Sequence, residues 1–301
     1  MKPLVESIPN FSEGANRSVV EALADSAGNM PGVALLDYSS DADHNRSVFT
    51  LAGDPDGVAA AVFRMCETAI GLIDMTRHKG AHPRMGACDV VPFVPLGGYT
   101  MAECVRLSKR FAERLNGELG VPVFLYEESC SAENRRNLAS IRKGEFEGMP
   151  GKLLREGWAP DYGERRIHPT AGVTAVGART PLLAFNVSLD TSDLKIAKRI
   201  AKAVRGSSGG FPFCKAIGVM LRDRNVAQVS MNIVNCEEAP IYSLFEAIRS
   251  HAERYGVSIA GSEIVGLAPA RTLLNCAASY LKTENFDCNK MILENRLDVF
   301  I

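Results

Sequence analysis

Ser47-Val48-Phe49-Thr50-Leu51-Ala52 is followed by Gly53-Asp54-Pro55 and then by Val58-Ala59-Ala60-Ala61-Val62-Phe63-Arg64-Met65-Cys66-Glu67-Thr68-Ala69-Ile70-Gly71-Leu72-Ile73. The apolar residues switch from a period of two to one near 3.6 across Pro55, which stands just inside a helix start. A second extended run, Cys88-Asp89-Val90-Val91-Pro92-Phe93-Val94, follows. Working outward, residues 4–8 read as a strand, 18–27 as a helix and 33–38 as a strand, so the order is βαββαβ. A helix over 101–115 and a strand over 121–126 extend it. The order returns further on: strand 182–189, helix 193–204, strands 216–221 and 226–234, helix 241–255, strand 257–264, and a last helix from near Pro269 to about Leu281. Two such units predict an α/β (α+β) protein of two ferredoxin-like βαββαβ subdomains, residues 1–178 and 179–301. Each is expected to have a mixed sheet with helices on one face.

The bulk composition closes several routes. The 301 residues carry 34 basic and 35 acidic side chains, 46% of them are hydrophobic and 23% charged. A net charge of -1 gives nucleic-acid binding no electrostatic support. No run of about 18 apolar residues exists to cross a membrane, and Met1-Lys2-Pro3-Leu4-Val5-Glu6 lacks the apolar stretch of a signal peptide. Eight scattered cysteines, none in a C-x-x-C pair, argue against structural zinc and for a reducing, cytoplasmic compartment.

The densest chemistry lies in Asp74-Met75-Thr76-Arg77-His78-Lys79-Gly80-Ala81-His82-Pro83-Arg84-Met85-Gly86-Ala87-Cys88-Asp89. His78 and His82 are four apart, as on a metal-binding helix, but Gly80 and Pro83 oppose a continuous helix there. The segment is then either a solvated basic loop or a general acid/base histidine among anion-binding arginines. Histidine suits proton transfer near neutral pH, and the arginine fork suits a carboxylate. Asn10-Phe11-Ser12-Glu13-Gly14 is a capping turn, with Ser12 or Asn16 as the cap, or a ligand contact. Asp43-His44-Asn45-Arg46 is a surface turn or a site turn. Arg205-Gly206-Ser207-Ser208-Gly209-Gly210 is a weak phosphate-cradle signal. Residues 144–172, rich in Gly, Pro and charge and carrying the sole tryptophan, read as a crossing that lines a ligand cleft. On the strand 226–234 the alternate residues Gln228, Ser230 and Asn232 form a polar row, a solvent face or a ligand floor, which Asn186 and Ser188 extend.

Several segments together resemble the formiminotransferase domain family: Pro9-Asn10-Phe11-Ser12-Glu13-Gly14, Leu72-Ile73-Asp74-Met75, Arg77-His78-Lys79-Gly80, His82-Pro83-Arg84-Met85-Gly86-Ala87 and Trp158-Ala159-Pro160-Asp161. So do Gly177-Ala178-Arg179, Ala184-Phe185-Asn186, Ala227-Gln228-Val229-Ser230 with Asn232, and Gly261-Ser262-Glu263-Ile264-Val265-Gly266-Leu267. The resemblance implies two α/β subdomains with a folate tunnel between them, a homodimer, and a catalytic histidine at His82. It implies a folate-contacting segment at Gly163-Glu164-Arg165-Arg166-Ile167-His168-Pro169-Thr170-Ala171-Gly172. Within it, residues 164–168 differ from the small and apolar residues of animal relatives, and Ala171 stands where a bulky aromatic is expected, so contact is expected from the backbone more than from side chains. A stand-alone transferase is implied, with a separate cyclodeaminase acting next.

The implied reaction moves a formimino group from N-formimino-L-glutamate to N5 of tetrahydrofolate, a co-substrate that carries a polyglutamate tail, with no metal, nicotinamide or flavin. Arg84 and Arg46 are the expected carboxylate clamps, with Lys79 and Arg77 behind them and Asn10 beside them. If Arg84 is a clamp, Arg84→Lys chiefly raises KM for the donor. Asp37 or Asp89 would face the amidinium, and Gln228, Ser230 and Asn232 the pterin edge. Two alternatives keep the fold: formyl transfer between 5-formyltetrahydrofolate and glutamate, and a non-catalytic folate-binding protein.

Overall fold

A computed structural model describes residues 2–28, 30–221 and 224–297, with side chains to residue 295. The chain divides into two compact units, Met1–Thr180 and Pro181–Ile301.

In the first unit Pro9, which has no N–H to give a ladder, splits the opening strand into β1 (Val5–Ser7) and β2 (Asn10–Phe11). Next come α1 (Arg17–Ala27), β3 (Val33–Asp41), β4 (Arg46–Gly53), α2 (Pro55–Leu72) and β5 (Cys88–Pro95). Asn16, not Ser12, caps α1, and Asp54 caps α2 ahead of Pro55. β1 and β2 both lie between β4 and β5, and β3 pairs the far side of β4, all antiparallel. That is the ferredoxin-like arrangement. The sheet then grows in parallel. Helix α3 (Met101–Leu119), started by the reciprocal Thr100–Glu103 capping box, leads to β6 (Val123–Glu127), and β7 (Thr174–Ala178) lies between β5 and β6.

Between β6 and β7 stand three short helices that the periodicity does not announce: α4 (Glu133–Arg136), α5 (Leu138–Arg142) and α6 (Glu145–Leu153). They change the layering. Phe11, Phe49, Phe93 and Phe111 pack with α1, α2 and α3 on one sheet face. Ile141, Met149 and Leu153 pack with Val90, Phe124, Tyr126 and Ala175 on the other. The first sheet is therefore covered on both faces, where one was expected, and each fully buried large side chain contributes about 1.5–3 kcal/mol.

The second unit runs β8 (Leu183–Leu189), α7 (Leu194–Val204), β9 (Cys214–Leu221), β10 (Val226–Ile233), α8 (Ile241–Arg254) and β11 (Ile259–Val265). Then come α9 (Ala270–Leu281), α10 (Cys288–Met291) and α11 (Leu293–Leu297). Its order β11-β8-β10-β9 is again ferredoxin-like. A mixed sheet is found in the first unit; here every pairing is antiparallel. Ala227, Val229, Met231 and Ile233 face the core formed with Ile200, Val204, Leu244 and Ile248, as the alternation on this strand requires.

Candidate functional site

The segment from Asp74 to Ala87 is a loop, and its irregular backbone is held from three directions. Asp74 Oδ1 accepts from the backbone N and the hydroxyl of Thr76 and starts the turn. Met75 N donates to Thr170 O, Ala87 N to Ala171 O, and Val173 N to Met85 O. Residues 168–172, which close on themselves by paired hydrogen bonds between His168 and Gly172, are thereby clamped against the loop. Gly172 sits at φ +71°, and a Cβ there would lie 2.2 Å from Met85 O; a Cβ on Gly86 would lie 2.1 Å from Val173 O. Only glycine permits this approach of two backbones.

The turn between β3 and β4 supplies the third support. Asn45 accepts from Gly14 N and gives its amide to Lys79 O, and Ala81 N donates to Asp43 O. Asn45 and Asp43 thus tie the turn to the histidine loop, while Asp43 and His44 are exposed.

The two histidines divide by tautomer. His78 Nδ1 accepts from Arg84 Nε at 3.1 Å, so its proton is on Nε2, which donates to Asn45 O at 3.0 Å. Both nitrogens are used, and His78 is a pin between turn and loop. His82 is the opposite case. Its Nδ1 lies 2.7 Å from Pro83 O and must carry the proton, leaving the Nε2 lone pair to accept one. Burial first, then the charges of Arg46 and Arg142, push its pKa from 6.5 down to about 4, against weaker opposing contributions from the Pro83 carbonyl and Asp89. The ring is a neutral base at working pH. His44, held to Asp41 at 3.0 Å, has its ring centroid 6.2 Å away.

Arg84 does not have the freedom expected of a clamp. Its Nε donates to His78 Nδ1, Nη1 to Glu145 and Glu147, and Nη2 to Glu147 and the carbonyl of His78. All five N–H groups are committed, and its own carbonyl receives Phe146 N at the start of α6. Arg84 ties the histidine loop to α6.

Arg46 is placed differently. Its Nη1 donates to Asp89 Oδ2 at 2.9 Å and its Nη2 to Asn10 Oδ1. Arg142, on α5, donates Nη2 to the same Asp89 oxygen at 2.6 Å, while Asp89 Oδ1 accepts from Met85 N at 2.9 Å. Asp89 is fully buried; burial alone would raise its pKa, but Arg142, Arg46 and Met85 N outweigh that and hold it below the usual carboxylate range. Asp89 is thus engaged on both oxygens, and Asp37 is exposed on edge strand β3. Lys79 and Arg77 are exposed, Arg77 3.5 Å from Asp74.

In residues 163–172, Ala171 is buried and its carbonyl is taken by Ala87, Thr170 O is taken by Met75 N, and His168 Nδ1 accepts from Ala171 N. The backbone groups of His168, Ala171 and Gly172 and the carbonyl of Thr170 are thus engaged within the protein. Glu164 and Arg166 are exposed and paired at 2.9 Å, Arg165 is exposed and Ile167 is half-buried. Trp158 packs on Phe124 and under the ammonium of Lys152, which is buried, pushed down to about 8 chiefly by that burial, and bonded to the carbonyls of Ser140, Ile141 and Lys143 at the end of α5.

In the second unit, Gln228 pairs across the ladder with Ser188, and Ser230 with Asn186. Gln228 Nε2 donates to Ser188 Oγ and to Glu263 Oε1, which also accepts from Asn186. Gln228 is 2% exposed, Ser230 half-buried and Asn232 exposed. Glu263 is the organising group the alternation did not point to. Arg205 bonds Ser208 at the exit of α7, so that glycine-rich turn is no helix-start anion cradle. Among the described residues no cluster of three His, Cys, Asp or Glu could hold a metal, and no helix is long and apolar enough to cross a membrane.

A neutral imidazole with one free nitrogen beside two arginines can pass protons between nitrogen or oxygen atoms and hold an anion while doing so, the equipment of a group transferase. The family profile described as formiminotransferase domain, N-terminal subdomain, matches residues 4–179, and that of the formiminotransferase domain matches residues 184–299. A glutamate formimidoyltransferase of Streptococcus pyogenes serotype M1 is 60% identical over 99% of both chains, and one of Thermoplasma acidophilum is 42% identical over 98% of this chain and 97% of its own. The formimidoyltransferase-cyclodeaminase of Gallus gallus is 43% identical over 94% of this chain, which spans 53% of that longer protein. The chain belongs to the formiminotransferase domain family and is a transferase.

Proposed function

We propose that this protein is a glutamate formimidoyltransferase that moves the formimino group of N-formimino-L-glutamate to N5 of tetrahydrofolate and releases glutamate, with residues 1–178 and 179–301 as its two subdomains. The family membership and the 60% identity support the reaction class. The observation that carries the chemistry is the tautomer of His82, with Nδ1 bonded to Pro83 O and Nε2 left as acceptor.

N5 attacks the electrophilic amidine carbon, forming an N–C bond and a tetrahedral adduct. His82 Nε2 takes the proton that N5 sheds and returns it to the glutamate nitrogen, whose C–N bond then breaks with a neutral amine leaving. One group serves both transfers, and such help is worth about 10²–10⁴-fold. Tetrahydrofolate is a co-substrate here; residues 163–172 are its contact segment in this reading, where the exposed side chains of Glu164, Arg165 and Arg166 offer hydrogen-bonding groups. A homodimer, a cytoplasmic location, a polyglutamate-tailed acceptor and a separate cyclodeaminase downstream belong to the same reading.

The test is product formation by purified protein from formiminoglutamate and tetrahydrofolate, followed by the spectrum of the 5-formimino product, with 5-formyltetrahydrofolate and glutamate as the competing pair. Faster turnover with the formyl pair overturns the assignment; tight folate binding with no turnover of either makes the protein a binder only.

A further inference from the structure

The cluster around Asp89 is unbalanced. Arg46 and Arg142 share one oxygen of one carboxylate, and all three side chains are nearly dry: 12%, 15% and 0% exposed. Two cations on one anion leave a net positive charge in a place where water can do little to solvate it, and burying an uncompensated charge is costly. The donor count is unbalanced too. Arg84, a few residues along, satisfies all five N–H groups within the protein. Arg142 makes one hydrogen bond among the described residues, to Asp89, and its Nε is buried with no partner. An arrangement that is short of one negative charge and several acceptors is complementary to a carboxylate.

We propose that Arg46 and Arg142, set side by side by buried Asp89, form a carboxylate seat next to His82, with Arg142 as the specificity-determining cation for the donor amino acid. This rests on the transferase reading above and adds to it a residue that no motif marks. Asp89 is the positioning residue: it aligns both guanidiniums and, through Met85 N, the histidine loop. Lys152 sets Arg142 in place by bonding the carbonyls at the end of α5.

The seat also couples binding to proton transfer. The charged or titratable groups acting on His82 are Arg46, Arg142 and Asp89, with the His44 ring beside it. Arg46 and Arg142 hold its proton affinity down; a carboxylate seated on them cancels that field, and His82 becomes a stronger base when the donor is present. Both the donor amino acid and the glutamate tail of the folate carry carboxylates, and the seat takes that of the donor amino acid.

The experiment titrates L-glutamate, and separately tetrahydrofolate with and without added glutamyl residues, into the full-length protein by calorimetry, while the His82 ring is followed by NMR across pH. Glutamate is expected to bind and to move the His82 midpoint upward. Arg142→Gln should weaken glutamate about 10- to 100-fold, the range for hydrogen bonds to a charged group, raise the His82 midpoint in the unliganded protein, and leave the tetrahydrofolate Kd as in the parent. Arg142→Lys keeps the charge beside Asp89 but not the fork, and should bind glutamate at an intermediate strength while guarding against loss of folding in the Gln variant. Undiminished glutamate binding in Arg142→Gln, an unmoved His82 midpoint, or a loss confined to the polyglutamylated folate each overturn the seat. Glutamate binding that depends on Arg142 in a protein that fails to transfer the formimino group would sink the reaction and leave the seat standing.

Discussion

Nδ1 of His82 lies 2.7 Å from the carbonyl oxygen of Pro83, so the residue that follows the imidazole fixes its tautomer. Proline makes this local lock firm because its ring holds φ near −65°. His82→Ala should therefore cut kcat by about 10²–10⁴-fold while the Kd for tetrahydrofolate stays unchanged. Steady-state kinetics and equilibrium binding on the same preparation check it, and equal loss of both would assign His82 a structural role.

The pH dependence follows from a depressed histidine. The folded value is about 4 against an ordinary 6.5, owing first to burial and then to Arg46 and Arg142. Catalysis in the forward direction needs the neutral ring, so kcat/KM, which reports the free enzyme, should hold from neutral pH down past 6 and fall only as pH approaches 4. Stability carries the same sign. Between 6.5 and 4 the unfolded chain binds more protons than the folded one, so this group's contribution is present above 6.5 and is lost as pH falls through that window. An acid limb of kcat/KM centred near 6.5 would contradict the environment described for the ring.

Arg84→Lys separates a strut from a clamp. Lysine cannot reproduce five committed N–H groups, so the link between the histidine loop and α6 weakens. A loss of about 1–2 kcal/mol is expected, reduced because Glu145 and Glu147 are partly exposed. Thermal unfolding should register it while KM for formiminoglutamate stays near the parent value. A large rise in KM at unchanged stability would restore Arg84 to the ligand.

Gly172→Ala tests the clamp between the two loops. The added methyl meets Met85 O at 2.2 Å and the residue is held at positive φ, a strain of about 1–3 kcal/mol before the clash is counted. Hydrogen exchange at Ala87 and Val173, whose amides cross between the segments, should speed up, and turnover should fall with it.

Glu263→Ala removes the acceptor that orients Gln228 and Asn186 together. If that polar face receives the pterin, tetrahydrofolate should bind about 10-fold or more weakly, with Glu263→Gln, which keeps one oxygen, in between. Parent-like folate affinity in both variants would remove this face from the site.

Much of this protein was legible along the chain. Val58 to Leu72 turns every third or fourth residue inward, and the strand from Val226 alternates, so helix and strand follow from side chains a few positions apart. The histidine loop announced itself by density of function between glycines and a proline. The misses share a cause. Helix α6 contains Gly148, Pro150 and Gly151, which local propensity reads as a breaker, yet Met149 and Leu153, four apart, pack on the sheet and Phe146 is buried in the other core cluster, and together they hold it. That spacing was the available signal. Strand β7 is short, small-residued and buried on both faces, so it shows no alternation.

Local chemistry, then, was enough to specify the repeated βαββαβ order and the position of the loop, because each depends on neighbours within a few residues. The roles of the arginines were out of its reach. Arg46 and Arg142 meet Asp89 from 43 and 53 residues away, and Arg84 meets Glu147 across 63. Which cation is saturated and which is left in want of an anion depends on the count of donors and acceptors gathered at one point in space. That count exists only after long-range packing has excluded the water that would otherwise solvate them all alike.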